Sequence, residues 1–175
     1  MRGVRAEVLA THAMALLLGL TRGLIAFEPL RARRQWQRDA MTPFTRTLEG
    51  GTLVVVGLGS TGRSIARKAT AFEMRVVGVS RHGRPVPACE RVVPHTRFRE
   101  VLPEADALVL ALPLTEETFH LLGRDELACM KPAAVVVNIA RGGLIDEPAL
   151  IAALQQGRLA GAGLDVVENE PLAPD

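Results

Sequence analysis

Three glycines, Gly57, Gly59 and Gly62, have G-x-G-x-x-G spacing, a pattern that can bind phosphate groups through the backbone. Gly57 would allow a tight turn at the end of a strand. Gly59 lacks a Cβ, so a pyrophosphate could approach the main chain, and Gly62 would let the next helix pack closely on the strand. Ser60 and Thr61 would add hydroxyl donors beside the unpaired N–H groups of the helix N-terminus. These five residues are predicted to hold the phosphates of a dinucleotide.

The segments on either side of the glycines have the patterns that this role requires. Thr52 to Val56 is a short β-favouring apolar run, which is typical of a strand buried on both faces. After the glycines, apolar residues recur at helical intervals at Ile65, Ala66, Ala69 and Phe72. The alternative is an ordinary glycine-rich turn, but the order of strand, glycines and helix favours nucleotide binding.

The end of the second predicted strand, over residues 75–79, bears on the choice of cofactor. In a dinucleotide-binding fold an Asp or Glu at this point normally hydrogen-bonds the ribose 2′-hydroxyl. Ser80 stands there instead and is followed by Arg81. A hydroxyl and a guanidinium suit a 2′-phosphate through charge-assisted hydrogen bonds, which favours NADP slightly over NAD. The alternative is a basic loop that contacts no ligand.

Strands and helices alternate along the rest of the chain, which predicts an α/β fold with a doubly wound parallel sheet of the Rossmann type. Further strands are predicted at residues 92–93, 107–111, 134–138 and 159–166, with helices at 98–102 and 124–130 and one from the Asp146 cap to Gly157. Ligands of open α/β sheets bind beyond the carboxyl ends of the strands. Polar residues follow the predicted strands at Ser80, Thr115, Asn138, Arg141, Asp165 and Glu170.

Composition limits the classes of function that fit. The 175 residues are 48% hydrophobic with a formal charge of +2, which argues against disorder and gives no support for a nucleic-acid partner. A helix is predicted over residues 28–37, with its arginines on a solvated face, and the Thr42-Pro43 step ends it. The predicted helix contains Arg31, Arg33 and Arg34, and Arg38 follows it in the same basic cluster.

The cysteines and histidines do not have metal-ligand spacing. Cys89 and Cys129 are far apart in sequence, which fits a reducing cytoplasm better than a disulfide framework. Two of the four histidines, His12 and His120, are expected to lie away from the nucleotide site. We therefore predict no metal site.

The N-terminal apolar segment imitates a secretory signal, since Arg2 and Arg5 precede a leucine-rich run. Thr11 and His12 interrupt it upstream, and no small-residue cleavage site follows before Arg22. The run is also too short to span a bilayer. A buried helix over residues 6–22, no membrane partner and a cytoplasmic location are predicted.

Taken together, these motifs resemble the D-isomer-specific 2-hydroxyacid dehydrogenases, a group that includes glyoxylate and hydroxypyruvate reductases, phosphoglycerate dehydrogenases and formate dehydrogenases. The most specific match is Asn138-Ile139-Ala140-Arg141-Gly142, with Asp165 and the Glu170-Pro171 step downstream. The other matching stretches cover residues 10–18, 56–62, 110–115, 130–132 and 163–165.

The resemblance implies roles for individual residues in hydride transfer between NAD(P)H and a small 2-oxo acid. Arg141 would bind the substrate carboxylate and polarise its carbonyl, and Glu170 would raise the pKa of a catalytic histidine. Asp165 would hydrogen-bond the nicotinamide carboxamide. The implied cofactor-binding set is Gly57, Gly59, Ser60, Thr61, Gly62, Ser80, Arg81, Leu112, Pro113, Thr118, Ile139, Ala140, Arg141 and Asp165. The family also implies a homodimer formed partly through the apolar N-terminal helix.

The chain departs from the family pattern in two places. The family's histidine follows the Glu-Pro step by about twenty residues, whereas this sequence has no histidine after His120. The family's separate substrate domain is also missing. We therefore expect residues 1–175 to be one dinucleotide-binding domain, with N-terminal helices over 1–50 and the Rossmann core over 51–175, from a fragment or a truncated gene product that is weakly active or inactive alone. The alternatives are a non-catalytic NAD(P)-binding sensor or interaction module and, less well supported, a methyltransferase.

Overall fold

The computed structural model describes residues 2–42 and 45–172. Its helices are α1 (Arg2–Thr21), α2 (Glu28–Ala32), α3 (Arg38–Met41), α4 (Ser60–Ala71), α5 (Phe98–Val101), α6 (Arg124–Cys129) and α7 (Glu147–Gln155). Its strands are β1 (Thr52–Val56), β2 (Arg75–Ser80), β3 (Arg91–Pro94), β4 (Ala107–Leu110), β5 (Val135–Asn138) and β6 (Gly161–Leu164).

The strands form one six-stranded sheet in the order β3-β2-β1-β4-β5-β6, and every neighbouring pair is parallel. β1, β4 and β5 are buried along their whole length, as their continuous apolar sequences predict. The order reverses between β1 and β4, which opens a crevice at their carboxyl ends where ligands bind in such sheets. The doubly wound Rossmann-type fold is therefore confirmed.

Two apolar layers cover the sheet. On one face α1 and α4 pack on the strands, with Ala13, Leu17 and Ile65 fully buried. On the other face Phe98, Leu127 and further side chains of α5, α6 and α7 form the second core. Because small side chains dominate the first layer, α1 can lie close to α4 and to β5 and β6.

The long N-terminal helix is confirmed as α1, and its buried stripe includes Ala10, Ala13 and Leu17. Thr21 ends the helix and donates its hydroxyl to the carbonyl of Leu17 at 2.8 Å. None of the helices in residues 2–42 and 45–172 has both the length and the apolar character needed to cross a membrane.

The helix predicted over residues 28–37 is wrong in extent. It ends at Ala32, and Arg34 has a left-handed φ of 54°. No residue of α2 is buried, so no apolar contact extends the helix past its first turn. Residues 35–37 have no regular secondary structure, and the short α3 follows. Pro43, expected to break this helix, lies outside the described residues.

The sixth strand is shorter than the predicted 159–166. Leu159 is buried but precedes β6, and Asp165 follows it. The backbone of Asp165 still donates to the carbonyl of Asn138 at 2.9 Å, so the segment stays beside β5 although the ladder has ended. The helix predicted after Asp146 is confirmed as α7, with the Asp146 carboxylate accepting from the backbone of Ala149 at 3.0 Å.

Candidate functional site

The glycine turn between β1 and α4 has the geometry that its spacing predicts. Gly57 has a φ of +96°, and a Cβ there would lie 2.5 Å from the carbonyl oxygen of Ala111. A Cβ on Gly62 would lie 1.8 Å from the carbonyl oxygen of Gly57, which shows how closely α4 packs on the turn. A Cβ on Gly59 would meet nothing within 4 Å. The open space at Gly59 is where a ligand could contact the backbone at the helix N-terminus.

A cleft of about 330 Å³ begins at this turn and runs along the ends of β1, β2 and β4. Its volume and mixed apolar and polar wall suit part of a dinucleotide. Of the predicted site residues, it brings together Gly57, Gly59, Ser80, Arg81, Leu112, Pro113 and Thr118. Its wall also contains His95 and Phe98.

A second cleft, of about 540 Å³, continues on the side of β5. It shares Ala111, Leu112 and Pro113 with the first cleft, so the two border each other. The predicted residues in its wall are Thr61, Leu112, Pro113, Ile139, Ala140 and Arg141. Ser60 lines neither of these clefts; it lies beside Arg63 and Ser64 in a neighbouring depression.

Two threonines fix the loop after β4. The Thr118 hydroxyl donates to the carbonyl oxygen of Pro113 at 2.9 Å and accepts from the backbone N–H of Thr115 at 2.8 Å. Thr115 precedes a single 3-10 turn over Glu116–Thr118. These bonds hold the loop that contributes Leu112 and Pro113 to both clefts.

Asn138 shapes the loop that carries Arg141. Its side chain is buried, with only 1% exposed, at the carboxyl end of β5. Its Nδ2 donates to the carbonyl of Arg141 at 2.9 Å, and its Oδ1 accepts from the backbone N–H of Ala140 at 3.0 Å. The polar side chain at a strand end and the Asn-x-Ala-Arg-Gly motif marked this residue in the sequence, but its role in holding the loop became visible only in the structure.

The Arg141 side chain is exposed at the wall of the second cleft, and its Nη1 donates to the carbonyl oxygen of Ala140 at 2.6 Å. A guanidinium in this place can form two parallel hydrogen bonds with a carboxylate. The arrangement suits an anionic ligand beside the shared wall formed by Leu112 and Pro113.

Ser80 and Arg81 lie together at the other end of the site. The Ser80 hydroxyl accepts a hydrogen bond from the backbone N–H of Gly83 at 3.2 Å, and its own O–H stays available as a donor. The carbonyl oxygen of Arg81 lies 3.3 Å from Nδ1 of His95. The Arg81 side chain is exposed at the rim of the first cleft.

Asp165 follows β6 and contacts α1. Its Oδ1 lies 3.2 Å from Nε2 of His12. His12 lines neither cleft, and its contact with Asp165 follows from the packing of α1 against β5 and β6. Asp165 itself is not in the wall of either cleft.

Glu170 does not contact a histidine within the described residues. Its Oε1 accepts from the backbone N–H of Val167 at 3.1 Å. The histidine–acid contact in this segment is instead between His120 and Glu168, with Nε2 and Oε1 3.0 Å apart. His120 lines neither cleft, and this bond fastens it to the segment after β6. No pattern in the sequence indicates that these two residues, from separate loops, would meet.

In residues 2–42 and 45–172 no three or more His, Cys, Asp or Glu side chains are grouped so as to hold a metal ion.

Comparison with known proteins identifies the family. The sequence profile described as "D-isomer specific 2-hydroxyacid dehydrogenase, NAD binding domain" matches residues 14–175. The chain belongs to this family. It is 41% identical over 167 residues to a glyoxylate reductase from Thermococcus gammatolerans, a match that covers 93% of this chain and 50% of the relative.

Two solved structures illustrate the similarity of fold. A phosphoglycerate dehydrogenase from Lactobacillus plantarum matches with a TM-score of 0.92 at 35% identity, over 100% of this chain and 56% of that one. An acyclic imino acid reductase, solved in complex with NADPH and D-Arg, matches with a TM-score of 0.85 at 31% identity, over 96% of this chain and 53% of that one. The chain thus spans about half the length of the relatives that it matches.

Proposed function

We propose that this chain is the dinucleotide-binding part of an NAD(P)-dependent reductase that transfers hydride to C2 of a small 2-oxo acid such as glyoxylate. The observation that carries the proposal is the pair of adjoining clefts, which start at the glycine turn and end at Arg141. Membership of the 2-hydroxyacid dehydrogenase family supports the same reading.

The residues of the two clefts suit the parts of a dinucleotide. Gly59 leaves room at the N-terminus of α4, where the backbone N–H groups can bind a pyrophosphate. Ser80 and Arg81 would hold the adenosine ribose, and Leu112 and Pro113 would pack beside the chain of the cofactor as it passes between the clefts. Ile139, Ala140 and Asp165 would hold the nicotinamide end. The bound nicotinamide would supply the hydride.

Arg141 would orient the substrate and polarise it. Two hydrogen bonds from the guanidinium to the substrate carboxylate would fix the 2-oxo acid beside the shared wall of the clefts. Positive charge near the carbonyl oxygen stabilises the negative charge that develops there as hydride arrives. The proton for that oxygen would come from a histidine beside Glu170, and these 175 residues contain no histidine after His120.

NADP is proposed as the slightly preferred cofactor. Ser80 replaces the Asp or Glu that is usual at this position, which removes a negative charge that would repel a 2′-phosphate. The Arg81 side chain lies at the rim of the same cleft. The family profile is described as NAD binding, while one similar structure contains NADPH, so both cofactors occur among the relatives.

We also propose that the chain forms a homodimer in the cytoplasm and that residues 1–175 are one dinucleotide-binding domain. The apolar side chains of Val8, Leu24 and Ile25 are each more than 60% exposed on α1 or just after it. Apolar groups so placed favour association through this helix. A single monomeric species in sedimentation at micromolar concentration would contradict the dimer.

Isothermal titration of the chain with NADPH and NADH tests the proposed function. Saturable binding of at least one is expected, and Gly59→Val should weaken it strongly because the new side chain occupies the space in front of the backbone. Gly19→Ala, at a helix glycine where a Cβ meets nothing within 4 Å, is the control and should bind like the wild type. A folded wild-type chain that binds neither cofactor would overturn the proposal.

A further inference from the structure

Helix α1 borders the second cleft through one side chain and contacts Asp165 through another. Leu9 lies in the cleft wall with Arg141, and His12 is one helical turn further on. Residues three apart on a helix share a face. The face of α1 that closes the cleft at Leu9 therefore continues to the His12 side chain.

The His12–Asp165 contact joins parts of the chain that are distant in sequence. Nε2 of His12 lies 3.2 Å from Oδ1 of Asp165, and their side chains are 43% and 39% exposed. The Asp165 backbone donates to the carbonyl of Asn138, so the main chain of Asp165 is fixed to the same residue that shapes the Arg141 loop. Among the described residues, His12 is the group that contacts the Asp165 carboxylate.

We propose that His12 is a positioning residue that holds the Asp165 carboxylate in place for the carboxamide of the nicotinamide. This inference rests on the proposed function. Nε2 of His12 lies against Oδ1, which leaves Oδ2 to accept a hydrogen bond from a ligand amide. A carboxylate whose rotamer is already set loses less conformational freedom when the cofactor binds. His12 would therefore increase affinity for the nicotinamide half of the cofactor and leave the adenosine half unaffected.

Binding of two ligands separates this role from a general effect on the fold. NADPH contains both halves of the cofactor, while 2′,5′-ADP contains only the adenosine half. Isothermal titration with each ligand should show that His12→Ala raises the Kd for NADPH by roughly two- to tenfold, the effect of losing one polar contact. The Kd for 2′,5′-ADP should not change. His12→Leu keeps most of the side-chain volume and gives the same test if alanine destabilises the fold.

Three further variants complete the design. His12→Gln keeps an N–H donor at similar reach and should restore most of the NADPH affinity. Asp165→Ala should weaken NADPH binding at least as much as His12→Ala, and the double variant should be no weaker than Asp165→Ala, because His12 acts through the carboxylate. Thr11→Ala is the matched control on α1, since the Thr11 hydroxyl bonds only the carbonyl of Glu7 among the described residues.

Each other outcome has a definite meaning. An unchanged Kd for NADPH in His12→Ala and His12→Leu would overturn the role of His12 and leave the proposed function intact. An equal rise in the Kd for NADPH and for 2′,5′-ADP would show that His12 stabilises the fold as a whole, and it would also overturn the inference. A folded wild-type chain that binds neither ligand would overturn the proposed function and this inference together.

Discussion

Nε2 of His120 lies 3.0 Å from Oε1 of Glu168, and this contact ties the loop before α6 to the segment after β6. The backbone N–H of Glu168 also donates to Oε1 of Glu147 at 2.5 Å, at the start of α7. A Cβ on Gly142 would lie 2.0 Å from the carbonyl of Val167, so the Arg141 loop packs directly beneath the same segment. Glu168 is therefore held by His120 from the loop before α6 and by Glu147 at the start of α7.

The first prediction concerns the contact between His120 and Glu168. Glu168→Ala should lower the free energy of unfolding by about 0.5–1.5 kcal/mol, because the partly buried His120 loses its hydrogen-bond partner. Glu168→Gln keeps an acceptor and should cost less. Urea denaturation measures both. Glu100→Ala, which removes an exposed i,i+3 contact with Arg97, is the control and should cause no measurable change. Equal stability of Glu168→Ala and the wild type would contradict the prediction.

The second prediction concerns cofactor choice. Wild-type chain should bind NADPH more tightly than NADH, and Arg81→Ala should weaken NADPH binding by about tenfold while changing NADH little, because only NADPH carries the 2′-phosphate. Titration with both cofactors measures the ratio. Arg84→Ala removes an exposed arginine that is not in the cleft wall and is the matched control. Equal losses for the two cofactors in Arg81→Ala, or a wild-type preference for NADH, would reject the assignment.

The third prediction concerns the two cysteines. Burial raises the pKa of the Cys89 thiol, whereas Cys129 is exposed. A raised pKa means less thiolate at a given pH, so iodoacetamide should modify Cys89 more slowly than Cys129, and its rate should rise only at a higher pH than for an unperturbed thiol. Peptide mapping across a pH series reads both residues in one sample. Unfolding in urea should move the Cys89 profile to lower pH, and a profile that stays in place would contradict the prediction.

The parts of the fold that sequence predicts are those set by local pattern. The turn at Gly57 and the close packing at Gly62 follow from the glycine spacing alone. This is because the strand, the turn and the helix that these glycines join are consecutive in the sequence. The prediction of a helix over residues 28–37 fails for a physical reason. No residue of α2 is buried, so no packing against the core holds the chain helical as far as Arg34, where φ is left-handed.

The side-chain contacts of the site could not be predicted in the same way. His12 and Asp165 are near opposite ends of the chain, and their contact depends on where α1 crosses the sheet. His120 meets Glu168 instead of Glu170 because the segment after β6 turns back, with the Glu170 carboxylate accepting from the backbone of Val167. Such pairings depend on loop conformations that residue types and spacing do not determine.

The last prediction concerns catalysis by the 175 residues themselves. Reduction of a 2-oxo acid needs a proton at the carbonyl oxygen as hydride reaches the carbon, and a positioned acid contributes about 10²–10⁴-fold. His12 is paired with Asp165 and His120 with Glu168, and neither lies in the cleft wall beside Arg141. We therefore expect cofactor binding with negligible turnover of glyoxylate or hydroxypyruvate.

Oxidation of NADPH and NADH by the purified chain measures this turnover. A longer chain that includes a histidine after the Glu170-Pro171 step, if the genome encodes one, should gain activity, and Arg141→Ala should remove that gain because the substrate carboxylate loses its partner. Arg158→Ala, an exposed arginine outside both clefts, is the matched control for the loss of a positive charge. Robust turnover by the 175 residues alone, abolished by Arg141→Ala, would show that no histidine beyond His120 is needed and would overturn this account of the proton transfer.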